Sequence, residues 1–426
     1  MSHTVAGAAT VKKQQDSYRT SLFIPKREPS RLVKQALWRM SKHSVRSPAP
    51  LKQGHAAASS QGAHPLPATR TENKIMQYRQ LGRSGLRISA FTLGTMTFGG
   101  KGAFAKTGNT DTAGARRLID LCLDAGITMF DTADVYSSGE SETILGEALK
   151  GRSQETLVTT KSRFRTQDGP NGEGSSRLHL IAACEASLKR LGRDHIDLYY
   201  LHEWDGLTPL DETLEALDTL TRAGKIRYTG VSNFSAWHLM KALSVAERNR
   251  LIAPVSQQIY YSLQARDAEY ELLPAAVDQG IGVQVWSPLA GGLLSGKYRR
   301  NQPTPQGRQL ENFGEPPVHD KEKLFDIVEV LIAVGKEHDV SAAQVALAWT
   351  MHRPAITSVI VGARTEEQLK DKLKAAELVL TEDQLIRLNQ ASLPPLLYPY
   401  WHQASTAASR LSAADRVLLE PFLKTQ

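Results

Sequence analysis

From residue 88 onward, short runs of apolar and β-branched residues alternate with longer amphipathic stretches. The short runs predict strands over 88–95, 128–132, 157–162, 196–202, 226–232, 255–262, 282–287 and 357–361. Apolar residues at helical spacing between them predict helices over 111–124, 140–149, 175–191, 210–223, 235–248, 270–278, 321–337 and 366–376. Two more follow at 341–351, capped by Ser341, and at 382–389. This alternation builds βαβ units. Each strand run is apolar on both faces and none is missing at an edge, which fits a closed (β/α)8 TIM barrel better than an open doubly wound sheet.

Residues 1–75 carry no comparable pattern beyond a short patch at 32–40 and read as a disordered extension. Met76 opens the first patterned segment, so 1–75 is either a basic tail, a targeting segment or an over-extended start of the reading frame. The barrel is expected over 76–403 and a C-terminal tail over 404–426. The weakly amphipathic stretch 413–423 could close over a site or meet a neighbouring subunit, and no oligomeric state is readable.

A formal charge of +8 invites a nucleic-acid reading, but residues 1–75 hold 13 Lys and Arg against 3 Asp and Glu. The remaining 39 basic and 41 acidic side chains nearly cancel. A nucleic-acid interface needs its basic stripe on the folded part, so that partner is not expected. Two cysteines, Cys122 and Cys184, are too few for a disulfide scaffold. No run of eighteen apolar residues suggests a membrane span, and no apolar segment suits a secretory signal, so a cytoplasmic protein is expected.

Barrel chemistry gathers where strands end and βα loops begin. The second strand run ends in Asp131-Thr132-Ala133-Asp134-Val135-Tyr136, the third reaches Lys161, and the fourth ends in His202. Each residue alone reads more readily as a solvated charge, a hydrogen-bonded rim residue or a packed ring than as a catalytic group. Together they supply proton transfer to a carbonyl. A free phenol, with a pKa of about 10, is a weak acid, and a neighbouring ammonium makes its proton easier to give up. Lys161 would be that ammonium, Asp131 its counter-charge, and His202 a hydrogen-bond donor to the substrate oxygen. Reducing the carbon also needs a hydride donor, which a cofactor must bring. No Gly-x-Gly-x-x-Gly follows a strand; Gly172-Glu173-Gly174 lacks the third glycine. A barrel-type phosphate site near the seventh and eighth strands is the alternative, where Trp286 could stack on a flat ring and Lys297 and Arg364 could meet phosphates. Trp286 as core and Arg364 as a partner to a carboxylate remain equally open on the residues alone.

These residues resemble the aldo-keto reductase family, in the branch that includes potassium-channel beta subunits. The marks are Leu81-Gly82-Arg83-Ser84-Gly85-Leu86, Leu93-Gly94-Thr95-Met96, Asp131-Thr132-Ala133 with Tyr136, Lys161, His202, Gly230-Val231-Ser232-Asn233-Phe234, Gln258 and Trp286-Ser287-Pro288-Leu289. The resemblance implies NADPH-dependent reduction of small aldehydes or ketones, with Asp131, Tyr136, Lys161 and His202 catalytic. It implies a cofactor site of Thr95, Met96, Asp131, Ser232, Asn233, Gln258, Trp286, Ser287, Leu289, Gly291, Lys297, Gly362, Arg364, Gln368, Asp371 and Lys372, and no metal. One position departs: Asp371-Lys372 stands where the family usually has Glu-Asn. An ammonium only donates, so Lys372 cannot accept from adenine, while its charge favours a 2′-phosphate.

The substrate pocket is expected to draw on Phe98, Tyr136, His202 and Trp204, with Met96, Phe104, Phe164, Tyr400 and Trp401 adding apolar and aromatic walls suited to uncharged carbonyl compounds. Two rivals are an NADPH-binding regulatory protein with little turnover, similar to the channel beta subunits, and a barrel lyase using Lys161 as a Schiff-base nucleophile.

Overall fold

The computed structural model describes residues 76–152, 154–303 and 317–423, so the expected extension over 1–75 lies outside the described residues. The chain enters through an antiparallel hairpin, β1 (Tyr78–Gln80) and β2 (Arg87–Ser89). The run read as one strand over 88–95 is therefore two elements, β2 and β3 (Phe91–Gly94). Ser89 makes the break: its hydroxyl donates to the Phe91 carbonyl (2.6 Å) and accepts from the Thr128 amide (3.3 Å).

With β4 (Met129–Asp131), β5 (Leu157–Ser162), β6 (Ile196–Leu201), β7 (Ile226–Ser232), β8 (Ser256–Tyr260), β9 (Gly282–Trp286) and β10 (Ile356–Val361), β3 forms a closed parallel barrel. Closure comes from β10, which pairs with both β9 and β3. Outside the barrel run α1 (Thr112–Asp124), α2 (Glu140–Ala148), α3 (Arg177–Leu191), α4 (Leu210–Arg222), α5 (Ala236–Asn249) and α6 (Leu272–Gln279), one after each of β3 to β8. After β9 come α7 (Lys321–His338) and α8 (Ala342–Met351), and after β10 comes α9 (Glu366–Leu373). The chain ends with α10 (Glu382–Ser392), α11 (Tyr400–Thr406) and α12 (Ala413–Leu419). Ser341 caps α8 as the sequence predicts, accepting from the Gln344 amide. That helix has no polar face, so it is buried from Ala342 to Thr350 against α7 and β10. Among the described residues no helix is long and apolar enough to cross a membrane. The amphipathic stretch near the C-terminus seats Val417 and Leu418 on the helical ring, with α12 packed against α6.

The barrel is filled in layers. At the lower end Leu81 and Ile88 of the hairpin pack with Met129, Leu198 and Tyr200. Above them lies a buried polar layer. Tyr200 donates to Gln284 (2.7 Å) and shares a hydrogen bond with Ser256 (2.7 Å), while Thr92 shares one with Ser358 (2.8 Å). A β-carbon at position 230 would lie 2.3 Å from the Tyr200 ring, so glycine is what lets that ring cross the barrel. This satisfied layer is the floor on which the upper side chains stand.

Candidate active site

Asp131 and Lys161 come from adjacent strands, with Asp131 paired to Thr159 and Lys161 to Tyr200 in the sheet register. Alternation along β5 turns Lys161 inward and Thr160 outward to Glu142. The Lys161 ammonium has no exposed surface and donates to Asp131 Oδ1 (2.6 Å) and the Thr132 carbonyl (2.7 Å). Its third partner is the Tyr136 phenol, and Nζ lies 5.1 Å from the centre of that ring. Burial alone would lower the lysine pKa, but the charges and hydrogen bonds of Asp131 and Tyr136 together leave it above the ordinary value. The ammonium therefore stays charged at neutral pH with all three N–H bonds engaged, which makes it a poor amine nucleophile and removes support from the lyase reading.

Tyr136 opens a tight turn, Tyr136–Gly139, in which Ser137 and Ser138 take left-handed backbone angles (φ 51° and 57°). Ser137 pins this turn by donating to the Phe98 carbonyl (2.9 Å) and accepting from the Gly100 amide (3.0 Å). The half-buried phenol ring meets His202 edge-on (5.8 Å) and lies against Phe104 (5.2 Å). Phe164 packs on the far side of His202 (4.8 Å). Burial first, and the Lys161 charge second, hold the His202 pKa well below its usual value, so the imidazole is neutral. Its Nδ1 is buried without a partner among the described residues.

The other expected substrate residues part company. Phe98 packs in the core with no accessible surface, so only its backbone reaches the Tyr136 turn. Trp204 stacks on His238 (3.9 Å) and meets Phe234 edge-on (5.2 Å). Tyr400 lies against Tyr270 and donates to Glu271 (2.9 Å), while Trp401 stands half exposed beside Tyr398 and His402.

On the cofactor side, four of the expected residues connect to the proton-transfer group. Gln258 donates to Asp131 Oδ2 (2.9 Å). Asn233, at φ 56°, donates to the His202 carbonyl (3.1 Å) and accepts from the Trp286 indole (3.1 Å). Trp286 is half buried and lies 4.9 Å from the Tyr260 ring, and Ser232 is buried beside Asn233 on the same strand end. Thr95 is buried, bonded to the Asp131 carbonyl (3.0 Å) and Ser141 (2.9 Å), and Met96 is half buried beside it.

Farther along, Ser287 accepts from the Gly291 amide (3.1 Å) in a loop where Ser287 and Gly291 have positive φ, and Leu289 packs on the core. Lys297 is exposed and near enough to Lys372 for the two charges to interact. Lys372 donates to the Gly362 carbonyl, Arg364 to the carbonyls of Lys106 and Thr107, and Gln368 accepts from the Arg364 amide. Asp371 is turned to Ser341 and Gln344, so its carboxylate is already engaged. The donor set fits a nicotinamide dinucleotide: amides and an indole meet the barrel mouth, and cations gather at the far end where phosphates need them. Among the described residues no group of His, Cys, Asp and Glu could hold a metal ion.

Behind Lys161 lies a cluster that the sequence reading missed. Glu142 has no exposed surface and accepts from Thr160 (2.6 Å) and Arg190 (2.6 Å), while Asp134 is buried with no side-chain hydrogen-bond partner. Glu142 and Arg190 stand on different helices and follow no spacing that marks them in the sequence. Asp134 lies within the motif already noted, and only its burial distinguishes it.

The aldo/keto reductase family profile matches residues 90–392. The chain is 42% identical over 325 residues to an uncharacterized oxidoreductase, YrpG, of Bacillus subtilis (strain 168), covering 74% of this chain and 95% of that protein. It is 38% identical over 313 residues to a probable voltage-gated potassium channel subunit beta of Oryza sativa subsp. japonica, covering 71% and 92%. A probable subunit of the same kind from Arabidopsis thaliana is 35% identical over 312 residues, covering 71% and 92%.

Proposed function

The chain belongs to the aldo/keto reductase family, and on that premise we propose that it reduces aldehydes or ketones to alcohols with NADPH, using Tyr136 as the proton donor. The observation that carries this reading is the buried Lys161 ammonium, bonded at once to Asp131 and to the Tyr136 phenol. Residues 76–403 form the catalytic barrel in this reading, with 404–426 appended. Both cysteines are buried free thiols, which suits a reducing cytoplasm.

Ser232, Asn233 and Gln258 would hold the nicotinamide carboxamide and Trp286 its ring. Ser287 and Leu289 would line the pyrophosphate, and Lys297, Arg364 and Gln368 would surround the 2′-phosphate, with the Lys372 charge nearby to favour it. When bound, the cofactor supplies the hydride that reaches the carbonyl carbon. The protein's own work is on the oxygen. His202, neutral, offers a ring N–H that orients and polarises the carbonyl. Tyr136 hands its Oη proton to the developing alkoxide, and Lys161 stabilises the phenolate left behind until solvent restores the proton. Asp131 neutralises the ammonium, without which a buried cation would be too costly to hold. Phe104 and Phe164 shield the exchange from bulk water, which strengthens each of these interactions.

The test is a panel of carbonyl compounds followed by NADPH absorbance, with Tyr136→Phe as control. The variant keeps the ring and NADPH binding but is expected to lose about 10²–10⁴-fold in turnover. Equal rates in the two proteins would remove Tyr136 from the role. The complete proton-transfer group also argues against a purely regulatory role for bound NADPH.

A further inference from the structure

Asp131 serves two masters. Its Oδ1 holds the Lys161 ammonium at 2.6 Å, and its Oδ2 accepts from Gln258 Nε2 at 2.9 Å. All three side chains are nearly or wholly buried, with Lys161 at 0%, Asp131 at 3% and Gln258 at 3% exposure, so no solvent screens the exchange between them. Gln258 stands in the middle of β8 and 127 residues from Asp131, and its backbone carbonyl also accepts from Asn233 (3.2 Å).

We propose that Gln258 is a positioning residue that sets how readily Tyr136 gives up its proton, by drawing on the same carboxylate that neutralises Lys161. The proposal rests on the reading of Tyr136 as proton donor. A hydrogen bond to Oδ2 disperses the carboxylate charge and fixes its plane, leaving Oδ1 alone to meet the ammonium. Lys161 then keeps its third N–H for the phenol. Without the Gln258 amide, the freed Oδ2 competes for that N–H, and the less compensated negative charge opposes phenolate formation. Both changes make the phenol less acidic. A merely structural Gln258 would alter stability and leave phenol acidity untouched.

The test uses the full chain with Gln258→Met, which keeps length and volume but cannot donate, and Gln258→Leu as a second filling of the space. Phenol ionisation of Tyr136 is read without turnover, from ring-labelled tyrosine NMR during alkaline titration, with Tyr136→Phe identifying the signal. The expected result is an upward shift of the midpoint by about 0.5–1 pH unit in both variants, matching the loss of one charge-assisted hydrogen bond to the paired carboxylate. The alkaline limb of kcat for carbonyl reduction is expected to move the same way, whereas a change in cofactor KM alone would reflect lost binding. An unchanged Tyr136 midpoint in whichever variant folds would overturn the proposal. If the parent protein reduces no carbonyl compound, the functional reading fails, and the NMR titration still decides whether Gln258 acts on Tyr136.

Discussion

Among the buried ion clusters of the described residues, the one around Lys161 and the one around Glu269 are finished differently. In the first, Lys161 and Asp131 face the barrel mouth beside a half-buried phenol and an imidazole whose Nδ1 has no partner among the described residues. In the second, Glu269 takes Arg266 at both oxygens (2.8 Å each), Arg353 (3.1 Å) and the Tyr261 hydroxyl (2.5 Å). Arg266 goes on to Ser392 (2.9 Å) and the Asn389 carbonyl (3.1 Å), and both guanidiniums lie over Trp349. This second cluster joins the loop after β8 to α8 and α10 and spends its donors on the protein itself. Burial and charge alone therefore do not mark a site. What separates the two is that the first adjoins a half-buried phenol and a buried ring nitrogen with no partner among the described residues, whereas Glu269, Arg266, Arg353 and Tyr261 leave no buried polar side-chain atom unpaired.

The largest expected effects come from breaking one member of each cluster. Lys161→Met and Glu269→Gln both leave a buried charge short of its partner, and each is expected to lose about 3–5 kcal/mol of stability in urea unfolding. Only Lys161→Met should also lose turnover per folded molecule, by about 10²–10³-fold. A Glu269→Gln protein that folds but is equally slow would erase the distinction.

The sequence could show the first cluster because a barrel aligns strand ends, so Asp131, Lys161 and His202 become neighbours once eight strands are counted. It could not show the second, whose members come from a loop and two outer helices with no shared period. The same limit hid the bond from Gln258 to Asp131, since two inward side chains on strands of a closed barrel meet across its interior and not through adjacent registers. A ring just past a strand end reads as pocket lining, whereas the turn pinned by Ser137 leaves the Phe98 ring in the core. The break at Ala90 is not legible because the apolar residues on either side continue the strand pattern, and the hydroxyl of the preceding Ser89 decides the matter.

Asp134 sharpens the comparison, being a buried acid that belongs to neither kind. Burial first and the Glu142 charge second raise its pKa well above the ordinary value, although Arg190, the Val135 backbone amide and Lys161 pull the other way. The native state thus keeps a proton that the unfolded chain releases. Stability from this group is fully present below about pH 4 and falls as pH rises toward the native value, by about 1.4 kcal/mol per pH unit. Asp134→Asn mimics the protonated acid and cannot ionise. It should match the parent near pH 4 and exceed it in urea unfolding at neutral pH; a difference that does not change with pH would mean that Asp134 is ionised in the native protein.

The smallest effect concerns the far end of the cofactor site, where charge is held less tightly. Burial first lowers the Lys372 pKa, Asp371 opposes this, and Lys297 adds to it, leaving a value of about 8. Asp371 cannot compensate fully because Ser341 and Gln344 share its carboxylate. A 2′-phosphate placed there favours the charged lysine, so NADPH binding should take up a proton near this pH and weaken as the ammonium is lost. NADH, which lacks that phosphate, should be nearly indifferent. Fluorescence titrations between about pH 7 and about pH 9 are expected to show the preference for NADPH falling several-fold, up to about tenfold. Lys372→Met should flatten that dependence, while leaving Tyr136 and its partners as they are. A preference that stays constant with pH in the parent protein would place the 2′-phosphate on Lys297 and Arg364 alone, and Lys372 would then belong with the Glu269 cluster as a charge that serves the fold.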